Sequence, residues 1–207
     1  TSTNSSIGLI YALKKIFMKK IIYFLGYSKK KTSIINYLIK KKNIKLIHLY
    51  NKELTEESAI KADLIICFGY RRLIKKKILN LVNRPIINLH ISYLPFNRGA
   101  HPNYWSFIDK TPKGVSIHEI DNKIDKGKLI YQKKVIFNNI KKHSFKSTYL
   151  ILINEIEKLF KRKFNSILFK KYKSKKYKNQ GTFHKKKNLP KSIRWENNII
   201  SYLKKLN

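Results

Sequence analysis

Ile86-Ile87-Asn88-Leu89-His90-Ile91-Ser92-Tyr93-Leu94-Pro95-Phe96-Asn97-Arg98-Gly99-Ala100-His101-Pro102 opens a stretch that runs on to Leu129, and the rest of the chain is organised around it. The apolar run at its start predicts a strand, and the two-residue period of a strand puts Asn88 and His90 on one face near its carboxyl end. Leu94-Pro95 and Arg98-Gly99 then break the pattern. Gly114-Val115-Ser116-Ile117-His118-Glu119 predicts a second strand, which carries His118 and ends at a loop holding Asp121 and Asp125 and closed by Gly127. The chain has only eleven carboxylates, yet Asp109, Glu119, Asp121 and Asp125 all fall between positions 109 and 125. So tight a grouping of amide, imidazole and carboxylate groups is a candidate reaction centre.

Upstream of this stretch, Ile21-Ile22-Tyr23-Phe24-Leu25 reads as a buried parallel strand ended by Gly26. A helix follows to about Lys41, with Thr32 or Ser33 as its cap and Ile34, Ile35, Leu38 and Ile39 on one stripe. Ile44 to Tyr50 predicts a second strand, Thr55-Glu56-Glu57 the start of a short helix, and Asp63 to Phe68 a third strand. Alternating strands and helices predict an α/β chain with a doubly wound, mainly parallel sheet. Ligands bind such sheets beyond the carboxyl ends of the strands, where Gly69 and Asn88 fall. The first turn lacks Gly-x-Gly-x-x-Gly, which argues against a nicotinamide dinucleotide. Downstream, Lys128 to Val135 predicts another strand and Ser147 to about Phe169 a long amphipathic helix. The expected division is a leader at 1–17 outside the fold, a catalytic unit at 18–169 and a basic tail at 170–207.

The 207 residues carry 47 Lys and Arg and a formal net charge of +36, which invites a polyanion-binding reading. The lysines are spread along the whole chain amid much Ile and Asn, a pattern that compositional bias also produces. Cys67 is the single cysteine and lies in an apolar run, which implies a buried thiol in a reducing, cytoplasmic compartment. No apolar stretch approaches the roughly 20 residues of a membrane span. No metal-ligand spacing is present, so no metal is expected. The oligomeric state is not legible.

The central stretch resembles the formyltransferases that use 10-formyltetrahydrofolate. Their pattern, Asn-x-His-x-Ser-x-Leu-Pro, then Arg-Gly, a Gly-Val-(Ser/Thr)-x-His strand and an Asp-x-x-x-Asp-x-Gly loop, is met by Asn88, His90, Ser92, Leu94, Pro95, Arg98, Gly99, Gly114, Val115, Ser116, His118, Asp121, Asp125 and Gly127. Weaker similarity runs from about Lys19 to about Phe160. The resemblance implies a Rossmann-like fold and transfer of a formyl group to a primary amine, with Asn88, His90 and Asp125 catalytic and His118 orienting Asp125. It implies a folate pocket lined by Gly69, Tyr70, Arg72, Asp121 and Ile124. It also implies an acceptor site at Arg98, Gly99, His101 and Tyr104.

The residue types suit that chemistry. An Asn88 amide N–H can donate to a developing oxyanion without proton bookkeeping. His90 titrates near working pH, and Asp125 can accept a proton and hold His90 charged if the two are close. Loop lysines at 123, 126 and 128, where many relatives have acidic or small residues, are expected to lower the Asp125 pKa. Taken singly, each residue also has a plainer reading: Asn88 tying down a loop, His118 satisfied in the core, Asp125 capping a turn. Arg98 has two readings, a fork for a phosphate and a loop pin. Of Tyr104 and Trp105, Trp105 is the one expected in the core.

The expected acceptor is a nucleotide-linked amino sugar, with glycinamide ribonucleotide or methionyl-tRNA as alternatives. The roughly 40 residues after the long helix are too few for the β-barrel of the tRNA enzymes, and Gly181-Thr182-Phe183-His184 is similar to the tails of short sugar-formylating relatives. An alternative of another class is a non-catalytic protein binding nucleic acid or another polyanion on the same fold.

Overall fold

The computed structural model describes residues 19–206, so the expected leader lies outside the described residues. In chain order the strands are β1 (Lys20–Gly26), β2 (Ile44–Leu49), β3 (Leu64–Phe68), β4 (Ile87–His90), β5 (Arg98–Gly99), β6 (Gly114–Glu119), β7 (Leu129–Lys134) and β8 (Phe183–His184). Six of them form one sheet in the order β2-β1-β3-β4-β6-β7, and β5 pairs with β8. The first four sheet strands are parallel. β6 and β7 then run antiparallel to their neighbours, so the sheet is mainly parallel, as expected. The helices are α1 (Ile34–Ile39), α2 (Glu56–Lys61), α3 (Lys76–Leu81), α4 (Pro102–Ile108), α5 (Phe145–Leu168) and α6 (Ile199–Lys204).

Strand alternation divides the core. Ile22, Phe24, Leu64, Ile66, Phe68, Ile87, Leu89, Val115 and Ile117 face α1 and α5, while Tyr23, Leu25, Ile65 and Cys67 face α2 and α3. Each such side chain, fully buried, contributes about 1.5–3 kcal/mol. α5 presents Leu152, Ile156, Leu159, Phe160, Phe164 and Ile167 to the larger core at helical spacing. It starts at Phe145 because Ser144 and Ser147 form a reciprocal capping box.

A buried polar contact ties the start of α1 to α5. Glu157 of α5 accepts from Thr32 Oγ1 at 2.6 Å and from Ser33 N–H at 3.0 Å. Ser33 is the N-cap of α1, but its hydroxyl also goes to Glu157 rather than capping its own helix. A third cluster of Tyr104, Phe107, Phe145, Ile199 and Tyr202 joins α4, α5 and α6. Among the described residues no helix is long and apolar enough to cross a membrane.

Candidate functional site

The face of β4 opposite the large core carries Asn88 and His90, and the same face of β6 carries Ser116 and His118. Register places Asn88 opposite His118 and His90 opposite Ser116. The loop after β6 brings Asp125 over this pair of strands. Asp125 Oδ1 accepts from Asn88 Nδ2 at 3.2 Å and lies 3.4 Å from His118 Nε2. Its Oδ2 accepts from Gly99 N–H at 2.8 Å and lies 3.7 Å from His90 Nε2. One carboxylate thus meets an amide, two imidazoles and a backbone N–H.

Hydrogen-bond roles follow from partners that can only accept. His118 Nδ1 donates to Glu119 O at 2.7 Å, and its Nε2 lies 3.1 Å from Asn88 Nδ2 and 3.4 Å from Asp125 Oδ1. His90 Nε2 faces Asn97 O at 3.4 Å, which places its proton on Nε2. Burial opposes charge on Asp125, but His90, His118 and the Gly99 N–H outweigh it and hold the carboxyl well below the usual range. These partners, not the loop lysines, account for the depression. For His90 the balance differs from expectation: burial pushes its pKa down and outweighs the attraction of Asp125, so the ring is neutral at neutral pH.

The segment after β4 is held by groups whose purpose the sequence left open. Ser116 Oγ donates to Ser92 O at 2.7 Å and accepts from Leu94 N–H at 3.1 Å. Gln132 Nε2 donates to Leu94 O at 2.7 Å. Asn97 is fully buried, and its Nδ2 donates to Thr111 Oγ1 at 2.6 Å. These bonds, not the Arg98 guanidinium, pin the loop. Arg98 is 7% exposed, with Nε unpartnered and its guanidinium 5.8 Å from the Phe183 ring.

The remaining expected residues are scattered around this centre. Gly69, with φ +65°, packs so closely on the Tyr27 ring that a Cβ would lie 2.3 Å from it. Tyr70 Oη donates to Lys52 O at 3.4 Å and Arg72 Nη2 to Asn51 O at 3.3 Å, so both reach the segment after β2. Asp121 accepts from Lys123 N–H at 2.8 Å within its own loop, and Ile124 is exposed. A groove of about 480 Å³, lined in part by Leu79, Val82, Pro85, Ile86, Ile120 and Asp121, opens beside the Asn88–Asp125 cluster rather than over it. His101 adopts a left-handed conformation and stacks on Trp195 at 5.5 Å.

Tyr104 is not at the site. It is 2% exposed in the third core cluster, with Oη 3.2 Å from that of Tyr202, because the phase of α4 turns Asn103, Tyr104 and Phe107 inward. Trp105, expected in the core, packs half-buried against that cluster and lies flat against His184 at 4.1 Å. His184, Thr182 and Tyr177 come to the centre from the segment read as a tail. For the first two the sequence signal was the similarity of Gly181-Thr182-Phe183-His184 to the tails of short sugar-formylating relatives. Tyr177 carries none: its hydroxyl is buried without a partner, and the charges of Asp125, Asp121 and Arg98 act on it. Among the described residues no group of three His, Cys, Asp or Glu side chains is arranged to hold a metal ion.

The chain is similar to known proteins over most of its length. The formyl transferase family model matches residues 23–149. A formyltransferase PseJ from Anoxybacillus kamchatkensis, solved with UDP-4,6-dideoxy-4-formamido-L-AltNAc and tetrahydrofolate, is 34% identical, with a TM-score of 0.75 over 87% of this chain and 96% of that one. A methionyl-tRNA formyltransferase of Listeria welshimeri is 35% identical over 86 residues, which are 41% of this chain but 28% of that protein. A dTDP-4-amino-4,6-dideoxyglucose formyltransferase of Mycobacterium bovis is 30% identical over 125 residues, 60% of this chain and 52% of that protein.

Proposed function

The chain belongs to the formyl transferase family, and from that premise we propose that it transfers a formyl group from 10-formyltetrahydrofolate to the primary amine of a nucleotide-linked amino sugar. The observation that carries this reading is the convergence of Asn88, His90 and His118 on the buried, ionised Asp125. The acceptor class is supported by the near full-length similarity to a structure holding a UDP-linked formamido sugar.

The residues present fit a folate. The groove beside the carboxylate loop offers apolar walls in Leu79, Val82, Ile86 and Ile120 with the Asp121 carboxylate at its edge, the mixture a flat, hydrogen-bonding heterocycle needs. Arg72, exposed on the segment after β3, is free to turn from Asn51 O toward a carboxylate tail. When bound, 10-formyltetrahydrofolate supplies a carbon at the formyl oxidation level.

This chain's side chains do the rest. The Asn88 amide donates an N–H toward the oxygen on which negative charge develops. His90, neutral and protonated on Nε2, is a second donor and can relay a proton. Asp125, kept ionised, takes the proton that the attacking amine must lose, directly or through water. His118, fixed by Glu119 O, holds Asn88 and Asp125 in place. The acceptor approaches from the Arg98 to His101 side, where Arg98 Nε is buried and still unpartnered. Release of tetrahydrofolate on incubation with 10-formyltetrahydrofolate and a panel of UDP- and dTDP-linked amino sugars tests the reading. Turnover with one of them is expected; turnover only with glycinamide ribonucleotide or methionyl-tRNA would overturn the acceptor class, and none with any amine would overturn the activity.

A further inference from the structure

Successive backbone N–H groups in a strand point in opposite directions. At β5, Arg98 N–H donates to Thr182 O at 3.0 Å and Ala100 N–H to His184 O at 2.9 Å, whereas Gly99 N–H between them points away and donates to Asp125 Oδ2 at 2.8 Å. β8 therefore sets the plane of the peptide that grips the carboxylate. Gly99 has φ +87°, and a Cβ there would lie 2.3 Å from His184 O, so the two strands approach as only glycine permits.

β8 is anchored by its own side chains. His184 Nε2 donates to Asp109 Oδ2 at 2.7 Å, and its ring stacks on Trp105 at 4.1 Å with 6° between the planes. Thr182 Oγ1 accepts from Asn97 N–H at 2.8 Å. Downstream of the sheet, at more than fifty residues from Asp125, this segment touches no group of the carboxylate directly.

We propose that β8, through His184 anchored on Asp109 and Trp105, is a positioning element for Asp125: it holds the Gly99 N–H on the carboxylate and so keeps Asp125 aimed. His184 is a positioning residue and touches no substrate. The role rests on the assignment of Asp125 as the base.

Only four aspartates occur in the chain, Asp63, Asp109, Asp121 and Asp125, so each side-chain carboxyl carbon can be followed by ¹³C NMR during a pH titration of the intact protein. In His184→Ala the Asp125 titration is expected to move to higher pH and kcat to fall roughly 10- to 100-fold, with the Kd for 5-formyltetrahydrofolate unchanged. His184→Phe keeps the stack on Trp105 and is expected to restore most of both. Faster amide exchange at Gly99 in His184→Ala with an unmoved Asp125 titration would overturn the proposal. So would equal losses of kcat, folate binding and thermal stability in both variants, which would make His184 a fold residue only. Because the titration needs no turnover, it decides the positioning role even if wild-type protein forms no formamide.

Discussion

β4 and β6 show two faces that are both largely buried and chemically opposite, with Asn88 the half-buried member of the polar one. On one, Ile87, Leu89, Val115 and Ile117 sit in the large core at 0–3% exposure; on the other, Ser116 and His118 are at 0–1% and His90 at 8%. The apolar face needs only shape. The polar face must satisfy every group it buries, since an unmet buried polar atom costs about 1–3 kcal/mol. It does so through Ser116 to Ser92 O, His118 to Glu119 O and the fourfold surroundings of Asp125. The contrast teaches that the second face is built to keep one carboxylate charged where burial alone would neutralise it.

The largest expected effect lies on the apolar face. Ile117→Ala should cost roughly 2–5 kcal/mol in stability by urea unfolding, with kcat of the folded fraction within a factor of two. A matching loss of kcat would mean that the two faces are not independent.

Next come the polar-face residues, where the signs reverse. Asn88→Ala and Asp125→Asn are each expected to slow formyl transfer by roughly 10²–10³-fold while shifting Tm little. Full turnover by Asp125→Asn under chemistry-limited conditions would remove it as the base.

Acid sensitivity separates the faces further. Both His90 and Asp125 have folded pKa values below their unfolded ones, so the unfolded chain binds protons first as pH falls. The contribution of His90 is fully present above its ordinary value of about 6.5 and is lost below it; that of Asp125 is lost only below about 4. The urea midpoint should therefore decline between pH 7 and pH 5, and His90→Asn should flatten that decline. An unaltered slope in the variant would show that His90 is not held neutral.

The smallest effect tests the reassignment of Tyr104. Tyr104→Phe should cost about 1 kcal/mol by loss of the bond to Tyr202 and leave the acceptor KM untouched. A several-fold rise in KM would return Tyr104 to the acceptor site.

What the sequence by itself determined was local and periodic. The two-residue alternation of Asn88 and His90, the apolar runs of β1 and β3, and the carboxylate loop closed by Gly127 were all readable, because strand geometry and turn chemistry act within a few residues. What only tertiary structure decided depends on contacts between distant segments. The phase of α4 placed Tyr104 inside and Trp105 against His184. The depth of His90 made burial outweigh its attraction to Asp125. The pairing of β5 with β8 brought Thr182 and His184 beside Gly99 across more than eighty residues. Sequence spacing sets which side chains share a face. Whether a buried group is charged, and which peptide N–H meets a carboxylate, depends on the solvent excluded and the partners supplied by chain far away.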